Sequence, residues 1–330
     1  VSRGKFLLAG SRLFRSIDTS SKTVYAEVGF FAFNLRFGKN MRLTILTLFL
    51  LTFLTGFLSA DEIKHRFLAL DESRFQILYV DQFDSAKNWI IKVPAGNRDL
   101  QLIGGKIVIG LRDGGFAEYD FAAQKLLRQV IDAKYKGDSV TAYRLEDGRT
   151  LLASSQTPIR ITMLDAEGKE VTTAVFPNTK TVRCARLTPR GTVLFGCNEN
   201  HVIEGTLDGK VIRDIVIPDA KHIFMVEELP NGNLLATSGY GGFFVEIDKD
   251  GKIIRKTGGK PGPEGVGINF FASVQVLKNG NTLIANWTGH GANDSEKGFQ
   301  ILEYDAAGNI VWHWHDPKIA GSIHNAVVLE

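Results

Sequence analysis

The sequence predicts an all-β fold, a six-bladed β-propeller of four-stranded blades, and three observations lead there. Strand-type alternation with Gly, Asn and Asp turns runs through the chain, while amphipathic stretches of helix length are almost absent. A hairpin of apolar strand, Gly turn and apolar strand recurs at a nearly constant period. The chain also ends on half of a repeat and, once a leader is set aside, begins on the other half.

The recurring hairpin reads Leu102-Ile-Gly-Gly105-Lys-Ile-Val108, Leu145-Glu-Asp-Gly148-Arg-Thr-Leu-Leu152, Leu187-Thr-Pro-Arg-Gly191-Thr-Val-Leu194, Leu229-Pro-Asn-Gly232-Asn-Leu-Leu235 and Leu277-Lys-Asn-Gly280-Asn-Thr-Leu-Ile284. Its glycines fall 43, 43, 41 and 48 residues apart, the length of four short strands with their turns. A second turn closes each unit, as Leu164-Asp165-Ala-Glu-Gly168, Ile247-Asp248-Lys-Asp-Gly251 and Tyr304-Asp305-Ala-Ala-Gly308, with variants at Tyr119-Asp120, Val80-Asp81 and Asp208-Gly209. Asp there can accept from its own backbone while Gly takes the positive φ. Residues 322–330 read as a first strand, like 138–146 and 222–229, with no second strand after them. Residues 67–70, 75–80 and 89–93 are three strands with no first strand before them. Joining the two ends, with Val327 beside 67–70, closes the ring and removes two open sheet edges.

The first methionine is Met41, followed by Arg42 and an apolar run to Leu58-Ser-Ala60, the pattern of a signal peptide over 41–60. Residues 1–40 read as an upstream or non-native extension, and 61–330 as a single propeller in an exported protein, periplasmic or secreted. Of 39 basic and 36 acidic side chains, eight and two fall in the first 60 residues, so the remainder has net charge −3. A mildly acidic body of that kind argues against nucleic acid or an anionic membrane surface as the main partner.

In such a blade the self-similar turns share one face, and the second-to-third loops and blade-to-blade links share the other. Function belongs on the second, irregular face, around the mouth of the axial channel. The loop at 238–242 offers Tyr240, and the expanded loop at 286–298 offers Asn286, Trp287 and His290. His222, His324 and Arg183 lie near the starts of innermost strands, where an imidazole can serve as acid or base near neutral pH, and Asn325 follows His324. Every link also carries Lys or Arg, Arg98 included, but most carry Asp or Glu as well, Asp99 among them, so that ring reads as nearly neutral.

Trp312-His313-Trp314-His315 puts both histidines on one face of a strand and both tryptophans on the other. Buried tryptophans with solvated histidines account for this better than a metal site does, and no metal ligand set is assigned. Cys184 and Cys197 flank one turn: pairing in which partners sum to 381 puts them opposite each other, and a sum of 380 does not. Asn286-Trp-Thr and Asn293-Asp-Ser match the glycosylation acceptor pattern.

The hairpin at 229–235, its copy at 277–283, and Gly308-Asn-Ile-Val-Trp312-His-Trp ahead of His324-Asn resemble the repeats of quinoprotein-like and arylsulfotransferase-like propellers. The second resemblance implies channel histidines with arginine and asparagine holding a sulfuryl group, matched loosely by His222, His324, Arg183 and Asn325. The first implies eight blades, a cofactor-stacking tryptophan and metal ligands. This chain departs from that set, so no cofactor is expected. The reading that results is an exported propeller binding a small polar or aromatic ligand at the upper mouth. Two others compete with it: a transferase or hydrolase using His222 or His324, and a protein-interaction platform.

Overall fold

The computed structural model describes residues 62–137, 140–291 and 293–330, with two short strands, Leu35–Phe37 and Met41–Leu43, that pair antiparallel. The chain divides between residues 61 and 62, and residues 62–330 are the propeller. The expected extension and signal segment lie, apart from those two strands, outside the described residues, as does Asp138.

Six antiparallel four-stranded sheets make the ring. Blade one is split: Ile323–Val328, Arg66–Asp71, Gln76–Asp81 and Trp89–Lys92, from the axis outward. Blade two is Leu100–Ile103, Lys106–Leu111, Gly115–Asp120 and Lys125–Ile131, and blade three is Val140–Arg144, Thr150–Ser154, Ile159–Leu164 and Glu170–Phe176. Blade four follows as Ala185–Leu187, Val193–Cys197, His201–Gly205 and Val211–Val216, then blade five as Ile223–Glu228, Leu234–Ser238, Phe243–Ile247 and Ile253–Gly258. Blade six is Phe270–Val276, Thr282–Trp287, Ile301–Tyr304 and Ile310–Trp314. Among the described residues no helix is long and apolar enough to cross a membrane.

The second and third strands are apolar on both faces because each blade is sandwiched between two others, and they are buried almost throughout. The outermost strands have one solvated face and alternate. Trp312 and Trp314 are accordingly buried, while His313 and His315 are on the exposed face. The closing turns work as their residues dictate. Asp248 Oδ1 accepts from the backbone N–H groups of Asp250 (3.0 Å) and Lys252 (2.8 Å), with Gly251 at φ +84°.

The ring closes by strand pairing between the two ends of residues 62–330, with Val327 opposite Leu68 and Val328 opposite Phe67. A side-chain clasp reinforces it. Buried Asp71 accepts from Ser73 Oγ (3.1 Å), the Arg74 N–H (3.1 Å), Gln76 Nε2 (2.9 Å) and the Gly321 N–H (2.7 Å), which fills both carboxylate oxygens and ties the closing strand to the turn beside it.

A glutamate recurs where the third strand bulges before its turn, buried as Glu118, Glu204 and Glu303 and half-buried as Glu246, each at a register shift. Glu118 accepts from Arg144 of the next blade, whereas Glu204 accepts from Arg213 of its own blade at 2.7 Å. Glu303 is fully buried, lies 2.6 Å from His65 Nε2, and accepts from Asn281 Nδ2 at 2.6 Å and Asn279 Nδ2 at 3.3 Å. Glu303→Ala strands these partners and is expected to cost about 3–5 kcal/mol in urea unfolding, with Glu303→Gln, which keeps an acceptor, costing clearly less. Equal losses from the two substitutions would reduce the site to simple packing.

The hairpin register in blade four pairs Ala185 with Phe195, a sum of 380. Cys184 therefore stands across from Gly196 and faces away from Cys197, and both buried thiols are free.

Candidate functional site at the channel mouth

Strand register stacks the channel in levels. Leu100, Ala185, Val226 and Ala326 pair with equivalent residues of their second strands. Two residues earlier in sequence come Arg98 and Arg183, each just ahead of its strand in blades two and four, and Phe224 and His324, each at a register shift of the innermost strand in blades five and one. His222 precedes its strand by one residue and has φ +65°, a left-handed conformation unusual for a residue with a Cβ.

The level below is sealed. Asp99 takes both terminal nitrogens of Arg186, at 2.8 and 2.9 Å, and Asn325 Nδ2 donates to Asp99 at 3.1 Å, so three innermost strands are tied together by buried groups. Beneath this tie lies a cavity of about 170 Å³ lined by Tyr143, Glu227, Gln101 and Gln275 among others. Asn325, a candidate ligand contact, belongs to the seal.

Above the seal the mouth has two unlike halves. Blades five, six and one supply an unbroken aromatic arc. Tyr240 stands 4.8 Å from Phe270, and His222 stands 5.6 Å from it, centroid to centroid. Phe270 meets Trp287 at 5.5 Å. His324 lies between Trp287 (5.2 Å, 5° between planes) and Phe224 (5.6 Å, 17°), a three-ring stack. Arg98 and Arg183 come from blades two and four.

The charges follow from this packing. His324 is 1% exposed and its Nδ1 makes no hydrogen bond; Arg98 Nε is likewise buried and unbonded. Burial, with Arg98 and Arg183 adding repulsion, holds His324 well below the usual imidazole range. Burial, then Arg183 and Arg98, pushes His222 down to about 4. Both rings are neutral at pH 7. Among the described residues Glu72 brings a carboxylate to the mouth: Trp287 Nε1 donates to it at 3.4 Å and His290 Nδ1 lies 3.1 Å away. Glu199, on the exposed side of His222, stands 3.9 Å from its Nδ1.

The structure thus groups His222, Tyr240, Trp287, His290 and His324 with Arg183. It does not offer Asn286 to a ligand. That side chain is fully buried, accepting from the N–H groups of Asn269 (2.8 Å) and Phe270 (3.2 Å) and donating to the carbonyls of Gly267 (3.0 Å) and Phe299 (2.7 Å), so its bonding capacity is filled by the links it pins. Its burial also sets it apart from Asn293, the exposed asparagine of the two acceptor patterns. Sequence reasoning missed Phe224, Phe270 and Glu72, and passed over Arg98. The repeat itself carried the signal for Arg98, since aligning Leu100 with Ala185 puts Arg98 level with Arg183.

No family model matches the chain, and no curated protein does. Solved structures resemble it in fold. A Bacteroides caccae protein of unknown function is 20% identical with a TM-score of 0.67, over 81% of this chain and 99% of that one. A streptogramin B lyase is 17% identical with a TM-score of 0.51, over 74% and 77%. A catalytically inactive virginiamycin B lyase from Staphylococcus aureus, determined with quinupristin, is 12% identical with a TM-score of 0.53, over 78% and 86%. At these identities the likeness establishes the β-propeller fold alone.

Proposed function

We propose that this propeller is an exported protein that binds a small ligand with a flat, aromatic portion at the upper mouth of its channel. The observation that carries this is the buried His324, stacked between Phe224 and Trp287 with an unbonded Nδ1. Buried polar atoms without partners are rare, and one placed in a ring of aromatic surfaces suits a polar group arriving from outside. The signal-peptide pattern of residues 41–60 supports export.

Binding is favoured over catalysis by the histidines themselves. A general base works best with a pKa near the working pH, and an imidazole pushed down to about 4 accepts protons poorly at pH 7. It remains a good hydrogen-bonding group. The arylsulfotransferase-like reading keeps His222, His324 and Arg183 in place but loses Asn325 to the seal beneath them.

Metabolites captured by the purified protein and identified by mass spectrometry test the reading. Wild-type protein is expected to enrich a ring-containing compound that Trp287→Ala and His324→Ala do not retain. Enrichment unchanged by both substitutions sinks the mouth as the site. Turnover of the captured compound, lost in His324→Ala with affinity intact, would move the protein to the enzyme class.

A further inference from the structure

We infer that a cleft at the perimeter, between the outermost strands of blades five and six, is a second binding site. Its ligand is a small neutral molecule with a flat ring and one acceptor oxygen, such as an aryl ketone, the ring against Phe299 and His313 and the oxygen accepting from the Tyr304 hydroxyl. The site does not depend on the channel mouth.

The cleft measures about 620 Å³, the size of a small-molecule pocket. One wall is the glycine-rich link at 258–268, with Gly262, Val266 and Ile268. That wall is held in place: the Phe299 N–H donates to the Val266 carbonyl at 3.0 Å, and a Cβ on Gly262 would stand 2.6 Å from Ile268 Cδ1. The other wall is blade six, where His313 lies flat on Phe299, 3.8 Å between centroids and 7° between planes. His315 Nε2 donates to the Ser295 carbonyl at 2.9 Å, whereas His313 makes no hydrogen bond among the described residues.

Tyr304, 2% exposed, also lines the cleft. Its ring packs edge-on to Phe244 (5.5 Å) and Phe271 (6.0 Å), and its buried hydroxyl has no hydrogen-bond partner. Phenylalanine would fill the same space without leaving a polar atom unpaired, and a ligand oxygen supplies the missing acceptor. Burial pushes the Tyr304 hydroxyl up, so it is protonated at pH 7; burial and then His315 hold His313 below the usual imidazole range, so its ring is neutral. Among the described residues no Asp, Glu, Lys or Arg lines the cleft, which favours a ligand without charge.

Titrations of acetophenone and ethylbenzene against the full chain at pH 7, followed by ligand-observed NMR, test this. The probes share a ring and a two-carbon substituent and differ by the carbonyl oxygen. His313→Ala, a change at an exposed residue, should weaken both about threefold or more. Tyr304→Phe should weaken acetophenone about three- to tenfold and leave ethylbenzene unchanged, with a urea midpoint no lower than that of wild type. Equal weakening of both probes by Tyr304→Phe overturns the hydroxyl's role. If wild type binds neither probe, or His313→Ala changes neither titration, the site falls, whether or not Tyr304→Phe folds. Binding lost in Trp287→Ala but intact in His313→Ala belongs to the mouth, so the cleft falls while the mouth stands.

Discussion

Deleting residues 323–330 is expected to abolish cooperative folding. The segment is one strand, yet it is the whole innermost layer of blade one, and Ile323, His324, Ala326 and Val328 are all buried. Losing a single buried aliphatic side chain typically costs about 2–5 kcal/mol. Here two large aliphatics, the strand pairing to residues 67–71 and the Asn325 bond to Asp99 go together, against a usual total stability of about 5–15 kcal/mol. The deletion should give a broad, non-cooperative urea transition and self-association through the exposed edge of Arg66–Asp71. A truncated chain that stays monomeric and melts sharply would show that five blades hold the ring without the sixth being whole. Adding the missing strand back as a peptide should restore the transition.

The second large effect is acid destabilisation from the mouth histidines. His222 has a folded value near 4 against 6.5 for a free imidazole, because burial and then Arg183 and Arg98 disfavour its charged form. Between those values the unfolded chain binds the proton and the folded chain does not, so stability rises with pH there and is lost as pH falls from 6.5 towards 4. For His222 the loss approaches roughly 3 kcal/mol, and His324 acts in the same direction. His222→Asn is the informative control, because asparagine tolerates the left-handed backbone at this position and does not titrate. Urea midpoints at pH 7 and pH 4.5 should fall much less in His222→Asn than in wild type. Parallel losses in the two proteins would place the acid-sensitive groups elsewhere.

The fold was legible because its turn chemistry is local. Gly148, Gly191, Gly232 and Gly280 each hold a positive φ that the hairpin needs, and each stands where the period places it. Ring closure was legible for the same reason: residues 322–330 copy other first strands and leave only one empty edge to fill. The mouth was only partly legible. His222 and His324 could be placed by counting along repeats, whereas Phe224 looked like any core phenylalanine. Arg98 was obscured by Asp99, since adjacency along the chain said nothing of Asp99 turning down to Arg186. Asn286 looked accessible in a polar loop, and only three-dimensional packing reveals that Asn269, Phe270, Gly267 and Phe299 occupy it. Glu118, Glu204, Glu246 and Glu303 recur at one position of the repeat, yet apolar periodicity passes over a carboxylate even where, as in Glu118, Glu204 and Glu303, it is buried.

The tie between Asp99, Arg186 and Asn325 makes the upper opening a cup and not a pipe. On the proposed function, a guest among the rings would enter and leave over the same rim. In that reading, how long a guest stays depends on Trp287, His290 and Tyr240 at the rim.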